Sequence, residues 1–381
     1  MGPLKGVRIV EMSGIGPAPF CGMLLADMGA DVLRVDRLSA SDLGFAVAPR
    51  FDLLNRGKRA AAIDLKSAEG VGLVRSLIEK ADILIEGFRP GVMERLGLGP
   101  EVCLGLNPRL VYGRMTGFGQ TGPMKDLAGH DINYIAMSGA LAAIGEKGGA
   151  PLPPMNLVGD FAGGSLYLAM GVLAALHEAR ASGQGQVVDA AMVDGVASLM
   201  AMVTGYRQAG IWRNERGANP VDGGAPFYAT YRTADGKYVA VGAIEAKFYR
   251  ELLEKLGLAD ADLPKQNDAK RWPELRARLA ETFAGKTRDA WAAIFAASDA
   301  CVSPVLDMDE CIAHPIHRER ANYVTIDGVT GPAPAPKFGR TPGAVRCGTL
   351  DPKADTREAL GGWDVAAGDL DRLAAAGVIA G

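Results

Sequence analysis

The sequence predicts an α/β protein, with a parallel sheet flanked by helices and a second, small α+β domain beside it. Three observations carry this. Over the first 120 residues, short apolar strands alternate with amphipathic helices, the pattern of βαβ units. Between residues 161 and 209, two long apolar helical stretches enclose one further strand. Past residue 225, two strands meet at Asp235-Gly236, a hairpin signal, and helical segments follow.

Taken in order, Val7–Glu11 reads as a strand and Ser13–Pro19 as a turn. Phe20–Met28 reads as a helix stopped by Gly29, and Val32–Asp36 as a second strand. Ala62–Leu65 continues as a strand, Ser67–Lys80 as a helix, Ile83–Ile85 as a strand and Val92–Leu96 as a short helix. Leu110–Met115 adds another strand, which makes the large sheet Rossmann-like. A long apolar helix is expected over Phe161–Arg180, stopped by Ser182–Gly185; Gln186–Ala190 is a strand, and a helix runs from Met192 to about Ala209. Ile211–Ala225 reads as an extended connector, Tyr228–Thr233 and Lys237–Gly242 as the hairpin. Lys247–Leu256, Pro273–Ala284 and Arg288–Ala297 are helical, Pro332–Pro336 is a linker, and Asp364–Ala375 is a closing helix.

A net charge of -3 leaves no global field to recruit nucleic acid or an anionic membrane, so an anionic ligand needs a local Arg/Lys cluster. Five cysteines without C-x-x-C spacing argue against a disulfide framework or zinc ribbon, and the four histidines offer no metal signature. The apolar run Gly163–Leu176 is broken by His177, Glu178 and Arg180, which argues against a membrane span. With no signal-peptide pattern at its start, the chain is expected to be a reduced, cytoplasmic protein.

Gly14-Ile15-Gly16 after a strand, with Asp36 twenty residues past Gly16, resembles a dinucleotide fingerprint. Pro19 at the third glycine position argues against it, since close helix–strand packing there needs a residue without bulk. A helix start facing a phosphate-bearing ligand stays open.

Three segments place an ionisable group beside glycine or at a helix start. In Gly129–Tyr134, His130 and Asp131 open a helix, where the dipole disfavours imidazolium and free N–H groups can bind an oxyanion. The same residues would equally serve as a plain helix cap. In Asn156–Gly164, Asp160 begins the long apolar helix with Asn156 four residues earlier as a hydrogen-bond partner; it too could be a simple cap. Gly163 and Gly164 each cost about 1 kcal/mol inside a helix unless something must approach closely. Glu245, just past the hairpin, is a weaker candidate, because such a carboxylate is usually solvated. For anion binding, Arg34, Arg37, Arg56, Lys58, Arg59, Lys66, Arg89 and Arg95 end or follow strands, where open α/β sheets bind ligands.

Longer motifs carry a resemblance. Residues 6–11, 25–32, 35–37, 87–92 and 116–123 resemble the class III CoA-transferase superfamily. Gly-His-Asp-Ile-Asn-Tyr at 129–134, residues 222–228 and Val-Gly-Ala-Ile-Glu at 241–245 are similar to its α-methylacyl-CoA racemase branch. The resemblance spans about residues 3–340 and implies an interlocked homodimer with active sites shared between subunits. It implies a large CoA-binding domain over 1–190, a connector over 191–222, a small domain over 223–310, a connector over 311–340, and a segment over 341–381 returning to the large domain. By the same resemblance His130 and Asp160 are the two acid/base residues, Glu245 of the other subunit partners His130, and Asn156 partners Asp160. Arg37, the strand end Ile63, Asp64, Leu65 and Lys66, and Arg89 and Arg95 are implied CoA contacts, with Gly129, Asn133 and Tyr134 beside them.

The implied reaction inverts the carbon next to a thioester carbonyl: one group removes the α-proton and the other returns one to the opposite face. The Asp131 backbone N–H is the expected donor to the enolate oxygen, and neither a metal nor a separate cofactor is expected, CoA being part of the substrate. The alternative is a CoA-transferase in which Asp160 is the nucleophile, against which His130 argues, since such an aspartate needs no opposed base. Met137, Met155, Met192, Met200 and Met202 offer either an adaptable acyl-binding surface or ordinary core.

Overall fold

The structure is a computed structural model and describes residues 2–39 and 47–381. Strands β1 (Arg8–Met12), β2 (Asp31–Asp36), β3 (Arg59–Ala62), β4 (Ile83–Glu86), β5 (Val111–Thr116) and β6 (Val187–Ala191) form one parallel sheet. Its order, β3-β2-β1-β4-β5-β6, reverses direction between β1 and β4. That reversal opens a crevice at the carboxyl ends of the two central strands, where such sheets take ligands.

The first helices, α1 (Pro17–Asp27), α2 (Ala68–Ile78), α3 (Val92–Arg95) and α4 (Pro100–Leu106), lie between these strands. Gly16, at φ 67°, turns the chain into α1, and Pro17 fills its first position, where a missing N–H is harmless. Next come α5 (Asp131–Met137), α6 (Ala140–Ala143), a π-helical turn over Leu157–Ser165, α7 (Leu166–Ser182), α8 (Met192–Leu199) and α9 (Ala201–Gln208).

A smaller sheet of β7 (Tyr228–Arg232), β8 (Tyr238–Gly242) and β9 (Val302–Pro304) is antiparallel, with α10 (Ala246–Leu256), α11 (Trp272–Phe283) and α12 (Arg288–Phe295). Gly236, at φ 77°, makes the expected hairpin turn. After α13 (Met308–Ala313) and α14 (Pro315–Glu319), the hairpin β10 (Tyr323–Ile326) and β11 (Val329–Pro332) precedes α15 (Pro352–Gly361) and α16 (Ala367–Ala375).

The chain forms two compact units. One comprises residues 1–138, 155–199 and 315–381, the other 139–154 and 200–314. The first is a three-layer sandwich. On one sheet face Val10, Leu33, Leu77, Leu84 and Tyr112 pack with Leu360 and Trp363 of the C-terminal segment. On the other, Ile9, Val32 and Ile85 pack with Leu25, Leu168 and Val172. The second unit has its own core around Phe227, Tyr231, Leu252, Leu279, Phe283 and Trp291.

Several expectations shift. The strand expected at Ala62–Leu65 is β3, ending at Ala62. There the Asp64 N–H donates to the Val378 carbonyl (2.8 Å), and Ser67 Oγ donates to the Asp64 carbonyl (2.9 Å), folding the chain into a turn. The helix expected from Met192 to Ala209 is broken at Met200, and its second half, α9, belongs to the other unit. Pro332 ends β11 instead of opening a linker. The run from Leu157 to Ser182 is continuous and, by length and composition, long and apolar enough to cross a membrane. In the fold it packs against the sheet through Leu168, Val172, Ala175 and Leu176, as a core helix does.

Candidate active site

The fold gathers five of the candidate residues around one cavity of about 1050 Å³ in the first unit: Arg34, Arg37, His130, Asn156 and Asp160. Loops following β1 and β2 supply Ser13–Gly16 and Arg37, so the cavity lies at the carboxyl end of the sheet. Asp160 sits on the first turn of the π-helical segment, whose wider winding displaces it from an ordinary α-helical track. Its carboxylate accepts a hydrogen bond from the Asn156 side-chain N–H (3.1 Å). Asp131, buried at the start of α5, accepts from the backbone N–H groups of Gly159 (2.6 Å) and Asp160 (2.7 Å). Ser165 Oγ, also buried, lies 2.7 Å from the Pro17 carbonyl and 2.9 Å from the Asp160 carbonyl, tying α1 to this turn.

These contacts decide the acidity of Asp160. Burial pushes its carboxyl above the usual aspartate range; the Asn156 hydrogen bond opposes this, the Asp131 charge adds to it and His130 opposes it. His130 caps α5, exposed to solvent, and its backbone N–H donates to Asn133 Oδ1 (3.0 Å). The Asp131 N–H behind it belongs to the first helical turn, whose N–H groups have no intrahelical acceptor.

The glycine-rich turn before α1 meets something other than a dinucleotide. A Cβ on Gly16 would lie 3.2 Å from Asp160 Oδ2, so this helix start faces the Asp160 carboxylate. Gly163 and Gly164 admit a neighbouring helix: a Cβ on Gly163 would come within 2.6 Å of Val196, and one on Gly164 within 2.9 Å of Met192, both on α8.

The basic cluster divides. Arg37 is exposed on the cavity and forms no ion pair among the described residues. Arg34 reaches the cavity but bonds Asp36 (2.6 Å). Lys58 is fully buried on Glu11 (2.7 Å), with Pro19 O and Asn55 Oδ1 taking its other protons. Arg56 pairs with Asp27 (2.7 Å), and Arg59 with Asp31 (3.0 Å). Lys58 and Arg56 are thus buried in their ion pairs, whereas the Arg59–Asp31 pair stays partly exposed; none of the three lines the cavity.

Ile63, Asp64, Leu65, Lys66, Arg89 and Arg95 lie in the same unit but outside the cavity lining, and the Ile63 side chain is fully buried in the core. The Tyr134 hydroxyl donates to the Gly129 carbonyl, and burial, followed by the Asp160 charge, pushes its phenol up to about 12. Tyr134 thus braces the turn before His130. Glu245 belongs to the second unit, exposed at the start of α10. Met192 is core, whereas Met137, Met155 and Met202 are exposed.

Asp351, Pro352 and Lys353 also line the cavity, and the sequence reading passed over them. The signal was present: Asp351 caps α15 by accepting from the Lys353 N–H (2.9 Å), with Pro352 in the first helical position.

Fold and site are those of an α/β protein with a cavity at the carboxyl edge of a parallel sheet, lined by a histidine and by an aspartate whose carboxyl burial pushes above its usual range. The family model for CoA-transferase family III matches residues 4–356. The alpha-methylacyl-CoA racemase of Mus musculus is 49% identical over 351 residues, 92% of this chain and 90% of that protein. The alpha-methylacyl-CoA racemase of Homo sapiens is 47% identical over 342 residues, 89% of this chain and 87% of that protein. A CAIB/BAIF family protein from Brucella suis has a similar structure, with a TM-score of 0.83 at 27% identity, covering 95% of this chain and all of the other. The chain belongs to CoA-transferase family III.

Proposed function

We propose that this protein is an α-methylacyl-CoA racemase, interconverting (2R)- and (2S)-2-methylacyl-CoA thioesters by proton transfer through an enolate. The observation that carries the reading is that His130 and Asp160 line one cavity, with the Asp160 carboxyl raised above its usual range by burial. The similarity to two proteins named for this activity supports it.

Inversion at carbon without redox needs a base on one face of the substrate and an acid on the other. His130 and Asp160 exchange these roles with the enantiomer. A carboxyl held above its ordinary range gives up and regains a proton nearer neutrality than a solvated aspartate does. The Asp131 N–H, free at the start of α5, is the donor assigned to the enolate oxygen. CoA belongs to the substrate, its phosphates set against Arg37, Arg89 and Arg95, with the Ile63–Lys66 turn and Gly129, Asn133 and Tyr134 nearby. No separate cofactor enters this scheme.

The proposed assembly is an interlocked homodimer in which Glu245 of one chain partners His130 of the other, in the cytoplasm. Support comes from α9, none of whose residues is buried and which exposes Met202 and Tyr206; a second copy would cover such a face. Light scattering at micromolar concentration would read twice the chain mass; a monomer at full activity would reject the shared site.

Proton NMR in D₂O with (2S)-2-methylacyl-CoA tests the activity. The expected result is deuterium entering C2 with loss of optical purity; inversion is abolished in both His130→Ala and Asp160→Ala, and exchange in the variant that lacks the base facing the C2 proton. Transfer of CoA to an added carboxylate without exchange at C2 would overturn the reading in favour of acyl transfer on Asp160.

A further inference from the structure

Asp131 is as notable for its side chain as for its backbone. It opens α5, yet its carboxylate turns away from its own helix and reaches the π-helical turn, where one oxygen, Oδ2, accepts both the Gly159 and Asp160 N–H groups. A Cβ on Gly159 would lie 2.5 Å from that oxygen, so the close approach requires glycine. The other oxygen, Oδ1, is buried and has no hydrogen-bond partner among the described residues.

Asparagine could supply the same acceptor oxygen but would bury an amide N–H₂ where Oδ1 stands. A carboxylate makes both N–H contacts charge-assisted and sets an acidic group directly against the Asp160 backbone. We propose that Asp131 is a positioning residue, whose buried carboxylate holds Asp160 at the cavity and supplies the fixed negative charge that favours a proton on it. The inference rests on the racemase reading for its kinetic consequence but not for its structural one.

The groups facing Asp160 are few. Its own turn supplies Asn156, and α5 supplies His130, Asp131 and, behind them, Tyr134. At the entrance to α1 Gly16 approaches it, and Pro19 of α1 lines the same cavity. Further round the cavity lie Arg34, Asp36, Arg37, Asp52, Asp351 and Lys353. Of these, Asp131 is the one anion bonded to the backbone of Asp160, and Asp131→Asn removes its charge while leaving both the acceptor oxygen and the Asp131 N–H.

The test is a carboxyl ¹³C-NMR titration of aspartate-labelled protein, with the Asp160 resonance assigned by its loss in Asp160→Asn. In Asp131→Asn the Asp160 midpoint is expected to fall by about one pH unit, and the acid limb of kcat/KM to move with it. Asp131→Ala, which also strands two N–H groups, should lower kcat by a further factor of about ten. Asp131→Ser gives the same midpoint readout should asparagine not be tolerated. An Asp160 midpoint unchanged in both neutral variants would overturn the proposal. Because the titration needs no substrate, that failure is distinct from an absence of racemase activity in the parent protein.

Discussion

Asp160 takes its chemistry from neighbours that lie far from it in sequence, apart from Asn156 four residues away. Asn156 donates to the carboxylate and so favours its charged form. Removing it in Asn156→Ala should raise the Asp160 pKa further. The direction of the kinetic effect follows from the pair. A racemase must show the same kcat/KM profile in both directions, since the equilibrium constant does not depend on pH. In the proposed mechanism the active species is the form in which one proton is held between the two acid/base groups. Its acid limb should lie above the pH of about 3.9 expected of a free aspartate. In Asn156→Ala that limb should move to higher pH by about half a unit to one unit. A limb that stays in place or moves to lower pH would show that Asn156 does not govern Asp160. The candidates His130, Asn156 and Asp160 were legible because glycine and helix-start context set them apart. The role of the Asp131 side chain was not, since nothing in local spacing links it to Gly159.

The element that shapes the site is the π-helical turn Leu157–Ser165, and its form is imposed by packing. In the sequence an ordinary apolar helix is expected from Phe161, and Gly163 and Gly164 within it suggest a close approach without identifying its partner. The partner is α8: a Cβ on Gly195 would lie 1.8 Å from the Gly163 carbonyl oxygen. Gly195→Ala should therefore push α8 off the turn that carries Asp160. It should cost about 1–3 kcal/mol in urea unfolding, together with a loss of kcat. Stability and rate equal to the parent's would mean that the turn does not depend on this contact. Ser165→Ala tests the other side of the turn. Loss of the hydroxyl that joins Pro17 to Asp160 should cost about 1 kcal/mol, and calorimetry would show no change in Tm if the hydroxyl were idle.

At the scale of the whole chain, each compact unit has its own core. In the first unit a fully buried ion pair, Lys58–Glu11, links the chain entering β3 to β1 and to the first turn of α1. Burial raises the Glu11 pKa and lowers that of Lys58, while each partner's charge opposes the shift of the other. Lys58→Met leaves Glu11 buried and unpaired and should cost about 3–5 kcal/mol. Combining it with Glu11→Leu should recover a large part of that loss, because no lone charge remains. Urea unfolding of the two variants decides this, and equal destabilisation would show that the pair acts through packing alone.

By itself the sequence determined the alternation of strands and helices, the hairpin turn at Asp235-Gly236, and the motifs that set His130 and Asp160 apart. All of these depend on periodicity, backbone conformation or residues within a few positions of one another. Only the tertiary structure decided which of the candidate cations reach the cavity. Arg37 faces the cavity while Lys58, Arg56 and Arg59 pair outside its lining with carboxylates on strands and helices 28 to 47 residues away. It also brought the C-terminal segment to the cavity through Asp351–Lys353, and seated Asp131 beneath Asp160. The acidity of a carboxyl depends on burial and on charges across space, and neither is recorded in the order of residues along the chain.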